Sequence, residues 1–94
     1  MKLERWGWDG THLLGEVYGH PEWPDGHRIR TSPVLGYLEG LGVFATMSGA
    51  NYALGEPDPH YLKLYGADGD VKQRLINRLK RPPNQPGGER ALSE

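Results

Sequence analysis

Apolar and polar positions alternate in short runs through residue 54, and the period then changes. Leu3 to Trp8 is a short aromatic run. Asp9-Gly10 after it has the composition of a type I′ hairpin turn, which needs positive φ at both central residues. The return run, Thr11 to Tyr18, sets Leu13, Gly15 and Val17 on one side and Leu14, Glu16 and Tyr18 on the other. Gly15 marks a bulge or a close backbone contact. Residues 19–26 break the alternation with two prolines and two glycines, the composition of a loop with defined turns. His27 to Leu38 predicts a long strand, with Pro33 at an edge or a bulge because it has no ladder donor. Glu39 to Gly42 predicts a hairpin, Val43 to Ser48 a further strand, and Tyr52 to Leu54 a short last one.

Past residue 57 the period becomes helical. Asp58-Pro59 is an N-cap followed by proline at the first helical position. His60 to Tyr65 then forms one or two turns stopped by Gly66, with Tyr61, Leu62, Leu64 and Tyr65 docking on the strands. Asp70 opens a second helix, and Gln73 completes a capping-box pattern. Val71, Leu75, Ile76 and Leu79 form its apolar stripe, and Pro82-Pro83 ends it.

Four or five short strands at roughly 8–12-residue spacing predict a mainly β (α+β) fold. The expected form is a small SH3-like or related strongly bent antiparallel barrel, with a C-terminal helix at about 70–81 packed on it. Residues 1–81 then make one domain, and 82–94 a Pro/Gly-rich flexible tail. The expected core is Leu14, Val17, Ile29, Val34, Leu38, Val43, Ala45, Met47 and Leu54, joined by the helix stripe.

Composition narrows the function classes. The absence of cysteine removes disulfide scaffolds and Cys-ligated metal sites, which makes a reducing, cytoplasmic setting the expectation. No run approaches the ~20 apolar residues of a membrane span, and no secretory leader pattern opens the chain. The net charge of −1 hides a polarity: residues 1–70 hold ten acids and five bases, whereas residues 71–94 hold six bases and two acids.

Three clusters carry candidate chemistry. His20, Glu22, Asp25 and His27 offer metal-ligand types within eight residues, but their spacing matches no known metal pattern. The plainer reading is a loop shaped by proline and glycine, with Asp25 capping a turn, so no metal and no cofactor is assigned. Thr31, Ser32 and Ser48 are the hydroxyl nucleophile candidates. They lack a Gly-x-Ser-x-Gly elbow, and Thr31-Ser32-Pro33 is more simply a bend held by hydroxyl–backbone bonds, so the chain reads as a non-enzyme. Arg74, Arg78 and Arg81 align on one helix face as a row that suits phosphates, with Arg28 and Arg30 able to add to it and Trp23 or Tyr37 as a stacking platform. The plainer reading of that row is a solvated helix face.

Tyr18-Gly19-His20-Pro21, Pro24-Asp25-Gly26, Ile29 to Val34, Ser48-Gly49 and Tyr52 to Pro57 together resemble small single-domain proteins of bacterial genomes, phages and prophages. The resemblance covers about residues 15–60. That group has no assigned activity, so it transfers no site residue. It implies a mobile-element protein acting in the bacterial host cytoplasm by binding a host protein, inhibitors of host defence included.

The leading expectation is therefore a non-enzymatic protein-binding module anchored by Trp23, Tyr18, Tyr37, Arg28 and Arg30, because Trp, Tyr and Arg dominate interface hot spots. Nucleic-acid binding through Arg74, Arg78 and Arg81 is the alternative, and a metal-dependent activity at His20 and His27 comes third. A small core also makes a homodimer through edge strands or the helix an option.

Overall fold

The computed structural model describes residues 1–66 and 69–80. Arg81 and the expected tail 82–94 lie outside the described residues. The chain forms β1 (Lys2–Trp8), β2 (Leu13–Tyr18), β3 (Arg28–Arg30), β4 (Val34–Leu38), β5 (Val43–Thr46) and β6 (Asn51–Leu54). Two helices follow, α1 (Pro59–Tyr65) and α2 (Val71–Leu79). The protein is thus mainly β, with two short helices. Two antiparallel meanders, β1-β2-β3 and β4-β5-β6, meet at a parallel β1–β6 pair to give one six-stranded mixed sheet of order β3-β2-β1-β6-β5-β4.

The expected antiparallel barrel of four or five strands is corrected on three points. The described residues form six strands; the central pair is parallel; and no ladder among them joins β3 to β4, so the sheet is not closed. It is nevertheless strongly curled. Only Thr31, Ser32 and Pro33 separate β3 from β4, which keeps those edges within ~14 Å. Flat, the five gaps across six strands would hold them ~24 Å apart. The long strand expected over 27–38 therefore breaks in two, and its middle stitches the curl. Thr31 N donates to Leu13 O at 2.8 Å and Val34 N to Thr11 O at 2.9 Å, while Pro33 O accepts from Met47 N at 2.9 Å. Thr31, itself buried, accepts from Leu13 N through its hydroxyl at 3.0 Å, and Ser32 Oγ accepts from Ser48 N at 3.0 Å.

The core keeps Val17, Leu54, Val71 and Leu75 of the expected set, with Ile29, Val34, Ile76 and Leu79 packed against it, but differs from the expectation elsewhere. Leu3, Trp6, Leu13, Val17 and Phe44 are fully buried, with Tyr52, Leu54, Val71 and Leu75 completing the cluster. β1 carries a bulge: Glu4 pairs with Glu16 but Gly7 with Leu14, so one residue is extra between them, and Arg5 takes φ 49° there. That extra residue turns both Leu3 and Trp6 inward. Gly15 lies opposite, where a Cβ would stand 3.0 Å from Glu4 O and 3.2 Å from Trp6 Cα, close enough that the β1 backbone would have to give by a few tenths of an ångström. In β2 Leu13, not Leu14, is fully buried; in β5 Phe44 and Thr46 point in, not Val43, Ala45 and Met47. Met47 is 66% exposed, and Leu38 is also exposed.

The turns and helices show four further corrections. Asp9-Gly10 belongs to a four-residue connection between the paired Trp8 and Leu13, not a two-residue type I′ turn. Asp9 instead accepts Thr11 N and His12 N on one carboxylate oxygen, at 2.9 and 2.7 Å. The helix caps form as expected: Asp58 accepts from His60 N and Tyr61 N, and Asp70 from Lys72 N and Gln73 N. The reciprocal half of the capping box does not, because the Gln73 side chain bonds Asn77. Gly66 keeps negative φ, so its use at the end of α1 is close approach to Leu62 rather than a left-handed cap. Of the four α1 residues expected to dock, only Tyr61 is half-buried; Leu62, Leu64 and Tyr65 are exposed.

Candidate functional site

The loop between β2 and β3 is built by its own short-range bonds. Gly19 and Gly26 take φ 74° and 88°, which L side chains rarely adopt. Asp25 Oδ1 accepts Gly19 N at 2.9 Å and ties the two ends together. Gly26 N donates to Val17 O and His27 N to Pro24 O, at 2.7 and 3.0 Å. Glu22 N donates to His20 Nδ1 at 3.0 Å. Three of the four candidate metal-ligating residues are thus drawn into separate tasks. His20 lies over the buried Tyr52 at a ring separation of 6.3 Å, and Asp25 clamps the loop. His27 stacks under Trp23 at 4.6 Å and 2°. Among the described residues no group of three or more His, Asp or Glu is placed to share a cation.

This loop and β3 form one wall of a groove of about 380 Å3. Trp23, 42% exposed, and His27 stand at one side, with Arg28 and Arg30 along β3 and Ser32 and Ser48 opposite. Tyr52 lies in its floor; burial raises the Tyr52 phenol above its ordinary range, and the nearby Glu22 carboxylate adds to the rise. Arg30 is held by Asp9 Oδ2, from Nε at 3.3 Å and Nη2 at 3.1 Å. The backbone amides of His12 and Thr11, and then Arg30, hold the Asp9 carboxyl well below the usual carboxylate range. Arg28 has no ion pair or side-chain hydrogen bond among the described residues. The hydroxyl candidates are used structurally: Thr31 Oγ1 donates to Ser32 O at 2.8 Å, and Ser48 Oγ meets Thr46 Oγ1 at 3.2 Å.

Trp23, Arg28 and Arg30 therefore come together, but Tyr18 and Tyr37 do not join them. Tyr18 faces a second groove with Glu4, Arg5, Glu16 and Glu56, and its hydroxyl meets Glu16 at 3.3 Å. Burial, then Glu16, raises its phenol above the ordinary value. Tyr37 tilts against Phe44 at 4.8 Å and packs on the core. Of the basic row, Arg74 donates to Tyr65 O and Arg78 lies beside it, while Arg81 is outside the described residues. Arg74 and Arg78 line a third groove with Trp8, Tyr61 and Tyr65, not with Trp23 or Tyr37. The sequence pattern does not group those three aromatics; only Tyr61 and Tyr65, four apart on a helix, carry a local signal.

Among the described residues no helix is long and apolar enough to cross a membrane. No family model matches the chain, and no curated protein or solved structure matches it either.

Proposed function

We propose that the chain is a non-enzymatic binding module that takes an extended segment of a partner protein on the free edge of β3. The observation carrying this reading is the bonding pattern of that strand. In an antiparallel pair alternate residues bond the neighbour. Val17 N donates to His27 O and Thr31 N to Leu13 O, and Ile29 pairs with Gly15 between them. The amides and carbonyls of Arg28 and Arg30 consequently face outward, as a strand-addition template does. Arg28 and Arg30 project on one side of that edge and favour a partner with acids at alternate positions. The Trp23–His27 stack gives it an aromatic anchor. The likeness to small phage and prophage proteins directs the search to host proteins, and a strongly bent sheet acting through loops and an edge is how an SH3-like fold would be used.

Affinity capture from bacterial lysate, with and without nuclease, tests the proposal. A nuclease-resistant partner should be retained by the unaltered chain and weakened about tenfold or more by Trp23→Ala and by Arg28→Glu. Identical partners on both variants would reject this surface.

A further inference from the structure

The groove between α1 and α2 sets aromatic side chains beside arginines. It measures about 410 Å3, and its apolar floor comes from Val71 and Leu75 of α2. Trp8, Tyr61 and Tyr65 line it together with Arg74 and Arg78, and among the described residues no carboxylate does. The aromatic wall is braced from within: buried Trp6 meets Tyr61 at 5.6 Å, and Tyr61 meets Tyr65 at 4.9 Å. Tyr65 is 55% exposed, so a flat face remains open at the surface. The cations of α2 and of its C-cap, Lys80, are divided. Lys72 donates to Leu54 O at 2.8 Å and Lys80 reaches Glu39 at 3.7 Å, both away from the groove. Arg74 is oriented across the groove by its bond to Tyr65 O. Arg78 has no anion within reach among the described residues.

We infer that this groove binds single-stranded nucleic acid, with a base stacked on Tyr65 and Trp8 and the adjoining phosphates on Arg74 and Arg78. Stacking planes beside guanidinium groups that meet no carboxylate among the described residues suit a base and its phosphate. The groove has the volume of a small-molecule site, too narrow for a duplex. It also leaves Tyr65 half in solvent, whereas a site for a free nucleotide would enclose most of its ligand. An acidic peptide would satisfy the arginines but leave the ring faces unused.

Fluorescence anisotropy of a labelled short oligothymidylate, at salt between ~50 and ~200 mM, tests this. Two phosphate contacts predict a log–log salt slope of about −1.4, falling to about −0.7 in Arg78→Ala. Tyr65→Ala, at an exposed position, should weaken binding about fivefold to a hundredfold while Tyr65→Phe preserves it. Circular dichroism confirms that each variant is folded. Absence of binding at the lower salt overturns the proposal, as does equal affinity for a duplex or equal competition by free thymidine monophosphate. So does a loss that follows Arg28→Ala rather than Arg78→Ala, which would move the strand to the β3 edge.

Discussion

The sheet has two edges, and they end differently. At β4 the chain leaving α2 comes alongside: Tyr37 meets Lys80 in a parallel bridge, Lys80 pairs with Glu39, and α2 packs on the strand. At β3 nothing of that kind is found among the described residues; the edge is three residues long and carries Arg28 and Arg30. Short length and charge are the devices by which native edges avoid pairing with copies of themselves. The same devices leave backbone donors and acceptors available to a partner of opposite charge. One edge is thus protected by covering and the other by selectivity, which is why the binding reading rests on β3.

The largest expected effect comes from loosening the cover. Leu75→Ala removes a buried side chain of α2 and should cost about 2–5 kcal/mol in urea unfolding. If α2 is what shields β4, sedimentation of this variant should also reveal a concentration-dependent dimer. Destabilisation without association would mean that the register shift between Val34 and Gly36 protects β4 by itself. Gly15→Ala comes next. It forces a Cβ against the bulged backbone of β1 and should cost about 1–3 kcal/mol. Because β3 pairs on β2, exchange of the bonded Ile29 and Thr31 amides should accelerate more than that of the amides along 34–38.

A smaller effect concerns Asp9, which anchors Arg30. Its carboxyl ionises below its ordinary value near 3.8 in the folded chain, so the stability it contributes is present above that pH and is lost as pH falls toward the folded value. Glu4, which accepts Glu56 N and pairs with Lys2, adds in the same direction. Thermal unfolding of Asp9→Asn should therefore decline less steeply below pH ~4 than that of the unaltered chain. An identical acid profile would show that Asp9 does not hold this corner. The smallest change in stability, within about 0.5 kcal/mol, is expected for Arg28→Val combined with Arg30→Val. Light scattering should find that this pair self-associates through β3. A strictly monomeric double variant would show that charge is not what guards the edge.

What was legible in the sequence was local. Asp58-Pro59 and Asp70 announced both helix starts, because a carboxylate before a helix has one physical use there. Gly15 announced a close backbone approach, and the proline–glycine loop at 19–26 announced turns. What stayed hidden depended on distant partners. The extra residue at Arg5–Trp6 shifts the phase of β1, and alternation within the run gives no sign of it. In β2 and β5 both sides of the strand carry apolar residues, so periodicity could not choose Leu13 over Leu14 or Phe44 over Val43. The β1–β6 pair joins residues 2–3 to 53–54 and has no short-range signal. The candidate sites divided in the same way. Trp23, Arg28 and Arg30 are near in sequence and share a groove, while Trp8 reaches Tyr61 and Arg78 only through the fold.

The position of β1 also bears on how the molecule is made. It lies at the middle of the sheet, and Met1 O and Leu3 O accept from Ala53 N and Gly55 N. During synthesis the β1-β2-β3 meander can form early, but β1 keeps one bare flank until β6 has emerged. Closing that long-range contact is the entropically slow event in assembly. Until it closes, the newborn protein is at its most vulnerable to chaperone capture and to proteases.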